Sequence, residues 1–255
     1  MSDPKIAGRE EWLAARHELL AKEKELFRHR DEVNAARRSL PMVEITEDYT
    51  LDGPEGKVTL TELFDGRSQL IVYHAMFDPD DDALCPACSF WMDGVGDLTH
   101  LYARDTTLVF ASIAPLEKLE AYQKRMGWDL PWYSSHGSSF NYDFHVTLDA
   151  DVAPVEWNYK TYDELVKDDP GWEGFAGSET GISAFLRQGD RIFHTYSCYG
   201  RGIDLVNATY NWLDLTARGR QEHFEKPDGR SDAGSMEWLR RKDEYDPEVI
   251  AGAKS

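Results

Sequence analysis

The sequence predicts an α/β fold: a parallel strand–helix–strand–helix half, then an antiparallel hairpin and a closing helix. Three observations carry this. Residues 69–77 (QLIVYHAMF) and 106–114 (TTLVFASIA) are strongly apolar, as strands covered on both faces are. A helix-like segment follows each, the second opened by Pro115 at the favoured first position of a helix. Residues 182–186 and 191–197 are short strand-like runs joined by Arg187-Gln188-Gly189-Asp190, a hairpin signal.

The remaining elements follow in order. Residues 8–40 read as one long helix, because Trp12, Leu19, Leu26 and Val33 recur at heptad spacing with Leu13, Leu20 and Phe27 beside the first three, and Pro41 stops it. This stripe either packs on its own domain, the preferred reading, or joins a second copy of the chain in a homodimer. Residues 43–50 form a strand, 52–56 a turn, and 58–64 lead to a second turn at Asp65-Gly66. Leu116, Leu119, Tyr122 and Met126 line one face of the helix after Pro115. Residues 128–144 are aromatic and rich in Ser and Gly, most simply core, with a pocket wall as the alternative. Residues 203–217 close the fold as a helix. The expected organisation is a helical extension over 1–41, an α/β domain over 42–218 with an insertion at about 149–181, and a loose polar tail over 219–255.

Composition excludes several functions. With 47 acidic against 28 basic residues the formal charge is −19, so phosphate backbones and anionic lipid are repelled; neither nucleic acid nor membrane is expected as a partner. The start, Met1-Ser2-Asp3-Pro4-Lys5, lacks the apolar segment of a signal peptide, and no apolar run is long enough to span a bilayer. The expected location is cytoplasmic. There is no GxGxxG and no GxxxxGK[ST], so no nucleotide cofactor is expected.

The chain has three cysteines, and two of them stand as Cys85-Pro86-Ala87-Cys88 between a buried strand and a helix. In a reducing compartment this spacing signals redox chemistry or metal, not a structural staple. At a helix start the first sulfur meets free backbone N–H groups and the positive end of the helix dipole, which favour a thiolate. Cys85 would then attack a disulfide, and Cys88 would attack the mixed disulfide and release product. Asp78, Asp80, Asp81 and Asp82 crowd the approach and oppose a thiolate unless they point into water or meet cations, so Cys85 should be less acidic than in strongly oxidising relatives, with a pKa not well below about 6. Their spacing lacks the Gly and Glu of a calcium loop, which would fall at Ala83 and Ser89, so they read as a solvated loop.

The alternative is metal: Cys85, Cys88, His194 and Cys198 contain the donors of a zinc or copper site, and residues 194 and 198, four apart in a strand, would share a face. Cys198 otherwise reads as a buried small hydrophobe or as a resolving thiol. His74 lies in the first buried strand, either as a hydrogen-bonded core residue or as an accessory group steering protons to the dithiol. His136 and His145 have no partner visible from spacing.

This order of elements, with CxxC after the first strand of the motif, resembles the thioredoxin fold. Residues 53–66, containing Lys57-Val58-Thr59-Leu60-Thr61-Glu62-Leu63, look like the N-terminal hairpin and helix of peroxiredoxin-type and TlpA-type members. Over residues 8–245 the chain resembles a bacterial thioredoxin-like family, domain of unknown function 899. The blocks that carry this are Leu70-Ile71-Val72-Tyr73-His74, Arg125-Met126-Gly127-Trp128, Trp132-Tyr133-Ser134-Ser135, Phe140-Asn141-Tyr142-Asp143-Phe144 and His194-Thr195-Tyr196. The resemblance implies dithiol–disulfide oxidoreductase activity, with a disulfide-containing substrate or a reductase as partner. Two departures stand out. Asp82 occupies the place of the activating hydroxyl that precedes a peroxidatic cysteine, and Glu179-Thr180-Gly181-Ile182 has no proline where thioredoxins carry a cis-proline facing the dithiol.

Overall fold

A computed structural model describes residues 4–226 and 231–251. Its frame is one eight-stranded sheet. In chain order the strands are β1 (Val43–Ile45), β2 (Thr50–Gly53), β3 (Gly56–Thr59), β4 (Gln69–His74), β5 (Thr106–Ser112), β6 (Trp132–Ser134), β7 (Gly181–Gln188) and β8 (Arg191–Tyr199). Across the sheet they lie β1-β8-β7-β4-β5-β6-β2-β3. β4, β5 and β6 are parallel neighbours, and the β7–β8 hairpin adds antiparallel to β4. The central order β8-β7-β4-β5 is the thioredoxin-like arrangement expected from the sequence.

The apolar runs behave as strands buried on both faces. Leu70, Val72, Val109, Ala111 and Phe185 point to one side, into a core with Phe64, Phe140 and Phe144. Tyr73 and Phe110 point to the other, against Trp91 and Met92 of one helix and Leu119 and Tyr122 of another. These two helices are Pro86–Asp93 and Leu116–Met126. The first is shorter than the run after the dithiol suggests. It stops at Gly94, which lies against Ala208, and only one further turn, Thr99–Tyr102, follows. After β8 the chain takes a 3-10 segment, Gly200–Val206, before the helix Ala208–Leu213. The Asn207 side chain caps that helix by accepting from the Tyr210 N–H at 2.8 Å, so the expected helix over 203–217 begins late.

The hairpin contains a bulge that the sequence hides. Ala184 pairs with Tyr196, but Phe185 pairs with His194, leaving Thr195 as an extra residue in β8. One inserted residue inverts the alternation of side chains beyond it. His194 therefore joins the Phe144 and Phe185 face, while Cys198 packs on the Tyr73 face with Ile182. The expectation that these two share a face is corrected here.

The N-terminal helix, Arg9–Arg38, buries none of its residues. Leu26 and Phe27 are 64% and 60% exposed, and the contact made near its end is Arg37 stacked over the Tyr196 ring at 4.6 Å. It does not pack its stripe on its own domain as expected. The insertion has a small core of its own, Leu148, Val155 and Leu165 with Trp157, Trp172 and Phe175 against it. No helix among the described residues is long and apolar enough to cross a membrane.

The C-terminal segment is not loose. Glu222 is almost fully buried and accepts from Tyr210 Oη (2.8 Å), Trp238 Nε1 (2.8 Å) and the Met236 N–H (2.9 Å). Burial pushes its carboxyl up, but these donors outweigh that and hold it below the ordinary value. Beyond it, Trp238 meets Phe90, Lys242 pairs with Asp93 at 2.8 Å, and Arg125 grips Asp243 through two bonds of 2.6 and 3.0 Å. The polar composition that reads as a tail is spent on fastening a strap over the dithiol helix. Residues 227–230 and 252–255 of the expected tail lie outside the described residues, as do 1–3 of the extension.

Candidate active site

The chain leaves β4 at His74 and reaches Cys85 through a loop stitched to β5. Ser112 Oγ donates to the Ala75 carbonyl at 2.7 Å, the Ala114 N–H to Phe77 at 2.9 Å, and the Cys85 N–H to Met76 at 3.1 Å. Cys85 is the N-cap of the helix Pro86–Asp93, and Pro86 takes the first position, where no N–H is needed.

The two sulfurs are unequal. The Cys88 thiol, as hydrogen-bond donor, does most to lower the Cys85 pKa; burial opposes it, and the N–H groups of Cys88 and Ala87 and the charge of Arg241 add to the lowering. The outcome is a thiol pulled down to about 6. Cys88 is fully buried. Burial first, then the bond to Cys85 and its charge, push Cys88 well above the ordinary thiol value, while the Met76 N–H donates to its sulfur at 3.2 Å. One sulfur is thus a thiolate near neutrality and the other a held thiol.

The aspartate run takes the course left open by the sequence reading, pointing into water or to hydrogen-bond donors, and none of its carboxylates figures among the groups acting on Cys85, whose value of about 6 is not well below 6. Asp78 accepts from the N–H and hydroxyl of Ser178, Asp81 accepts from the Asp78 N–H at 3.0 Å, and Asp80, Asp81 and Asp82 are exposed to water. The cation that acts on Cys85 comes from the strap: Arg241 Nε donates to the Leu84 carbonyl at 2.8 Å, one residue before the thiol. Arg241→Met is expected to raise the pH midpoint of Cys85 alkylation by about half a pH unit, since one partly solvated charge is removed.

A residue not singled out for chemistry in the sequence joins the site. Glu179 lies in the loop entering β7, where thioredoxins carry the cis-proline. Burial raises its carboxyl, the Thr180 N–H opposes this, and the Cys85 charge adds to the rise, leaving it at about 7. Its position just before the hairpin strand, opposite the dithiol, was the available signal. Beside it, Thr180 Oγ1 donates to the His74 carbonyl at 3.1 Å.

The other sequence candidates lie elsewhere. The His74 side chain is on the Leu70 and Val72 face, across the sheet from the dithiol, and stacks on Phe144. Its Nε2 bonds Ser183 Oγ at 2.9 Å; Ser183 bonds Ser197 at 2.9 Å, and Ser197 bonds His194 Nε2 at 2.8 Å. This polar row, which leaves His74 Nδ1 buried without a partner among the described residues, lies across the sheet from the dithiol and fits a core histidine and not a proton path to Cys85. Cys198 is half-buried and its thiol is raised by burial first. It borders a cavity of about 640 Å³ with Leu40, Tyr159 and Tyr196, whereas Cys88 borders a different one. Among the described residues no three His, Cys, Asp or Glu side chains are grouped to hold a metal, so the set Cys85, Cys88, His194 and Cys198 is not assembled. The bulge at Thr195 turns the histidine away, and Cys198 borders a different cavity from Cys88.

Comparison with known structures finds peroxiredoxin Q of Xanthomonas campestris at 12% identity and a TM-score of 0.45, covering 70% of this chain and 98% of that one. Peroxidoxin BcpB of Mycobacterium tuberculosis is similar at 15% identity and a TM-score of 0.43, covering 68% and 97%. The strand order, not these distant likenesses, assigns the fold. No curated protein matches the chain in sequence. The model of a bacterial protein family of unknown function, DUF899, matches residues 1–245. That span is nearly the whole chain, which therefore belongs to the DUF899 family.

Proposed function

We propose that the protein is a thiol–disulfide oxidoreductase. The observation that carries this is the asymmetry of the dithiol: Cys85 is partly exposed and held down to about 6, while Cys88 is buried, held up, and bonded to it. This is the division of labour that exchange requires, an attacking sulfur and a reserve one. Cys85 attacks one sulfur of a disulfide R–S–S–R, and the S–S bond breaks to release R–S⁻. Cys88 then loses its proton and attacks the Cys85 sulfur, forming the Cys85–Cys88 bond and releasing the second thiolate. The dithiol loses two electrons and the substrate gains them. Cys88 supplies one proton, and the carboxyl of Glu179, which exchanges protons near neutrality, supplies the other. An external dithiol, from a reductase partner or a small molecule, restores the reduced pair.

Mild oxidation followed by peptide mapping tests this. The peptide containing Cys85 and Cys88 should become lighter by two hydrogens, with Cys198 still open to alkylation. A disulfide to Cys198, or no bond at all under a disulfide-rich buffer, would contradict the reading.

A further inference from the structure

The wall of the dithiol site carries information about what it reduces. A cavity of about 310 Å³ opens beside Cys88, and its lining is dominated by Tyr73, Met76, Trp91, Ile203, Phe224 and Met236. The charged side chains at its rim, Arg201 and Asp204, are 3.5 Å apart, and Asp204 also accepts from Arg220 at 2.8 Å. Arg201 further covers the Phe224 ring at 4.6 Å. Asp204 is thus engaged within the protein, while Arg201 stays largely exposed at the rim, and the lining behind it offers an apolar surface and few groups to pair a buried charge.

The site is also roofed. Phe224 and Met236 belong to the strap, which is fastened through Glu222 and Arg241. The backbone beside the dithiol, where an extended peptide would add as a strand, is already occupied. Gly181 pairs with both His74 and Tyr199, and the Glu179 N–H donates to the Val146 carbonyl at 2.9 Å. Polypeptide capture by strand addition needs free edge groups, and the Gly181 pairings and the Glu179 N–H leave fewer of them here.

We infer that the substrate is a small uncharged disulfide with aryl or alkyl substituents, one of which enters the cavity beside Cys88 while the sulfur next to it meets Cys85. This rests on the oxidoreductase reading above. The exchange balances as already written, with R an apolar group: R–S–S–R becomes two R–SH as the Cys85–Cys88 bond closes.

The test has two arms. In the first, bibenzyl, the carbon analogue of diphenyl disulfide, is titrated against the full chain and followed by the quenching of Trp fluorescence. It should bind, and Met236→Asp should weaken binding at least about tenfold, since a carboxylate would be placed in an apolar cavity. Phe224→Asp, on a separate stretch of the strap, should do the same and guards against a folding defect peculiar to one variant. In the second arm, with each rate divided by that of a free small dithiol to remove the better leaving ability of an aryl thiolate, diphenyl disulfide should be reduced at least about tenfold more efficiently than the ionic glutathione disulfide. The same substitutions should cut the first rate at least about fivefold more than the second. Equal efficiencies, or variants that leave both rates unchanged, would overturn the assignment. Turnover of glutathione disulfide without bibenzyl binding would overturn the cavity assignment and leave the oxidoreductase reading intact. Bibenzyl binding without turnover of either disulfide would overturn that reading, and the substrate with it.

Discussion

Cys85→Ser is expected to lower disulfide exchange by at least about a thousandfold, because a serine hydroxyl stays protonated where the thiol is pulled down to about 6. Cys88 cannot take over. It is fully buried, and its thiol is held above the ordinary value by burial and by its partner sulfur. Cys88→Ser has a different signature: Cys85 still attacks, but nothing resolves the mixed disulfide, so a covalent adduct accumulates on Cys85. Cys198→Ser should retain activity within about twofold, since that thiol lines another cavity and is not activated. Turnover assays with mass analysis of the trapped species check all three. Equal losses from Cys85→Ser and Cys198→Ser would place the third cysteine in the catalytic set.

Acid should destabilise the fold through His74. Its pKa falls from 6.5 to about 3, chiefly because burial disfavours the charged ring and secondarily because His194 is near. The folded value lies below the unfolded one, so between these limits the unfolded chain binds more protons. The stability is fully present above about pH 6.5 and is lost as the pH falls toward 3. The full loss is roughly 5 kcal/mol, a large part of the stability of an ordinary domain. Urea midpoints measured at neutral pH and near pH 4 should therefore separate steeply. His74→Leu should cost about 1 kcal/mol at neutral pH, from the lost bond to Ser183, yet flatten the acid slope. Acid carboxylate losses act on both chains and cancel in the comparison. Parallel pH curves for the two proteins would show that His74 is not the group responsible.

The α/β frame was legible because its signals are local. Residues 69–77 and 106–114 announce strands covered on both faces, and Arg187-Gln188-Gly189-Asp190 announces the hairpin, whose turn tightens to Gly189-Asp190 in the structure. Leu70, Val72 and His74 alternate in step, so the parity that puts the histidine across the sheet from the dithiol could have been read. The bulge at Thr195 could not: nothing in His-Thr-Tyr-Ser-Cys marks an inserted residue, and it alone separates His194 from Cys198. The strap is illegible in the sequence because its polar residues are engaged with partners far along the chain, Asp243 with Arg125 and Arg241 with Leu84. Glu179 escaped for a similar reason, since its carboxyl acquires its character only when burial and the Cys85 charge meet it in three dimensions. The aspartate run shows why its effect depends on three dimensions: its carboxylates lie near Cys85 in sequence but turn to water and to Ser178.

The most direct test of the account is the pH dependence of alkylation at each cysteine, followed by mass analysis of the individual peptides. Cys85 is expected to react with a midpoint near pH 6 while Cys88 stays unmodified into strongly alkaline solution. A Cys85 midpoint near the ordinary thiol value of 9.0, or Cys88 reacting alongside it, would contradict the activated dithiol on which the proposed chemistry stands.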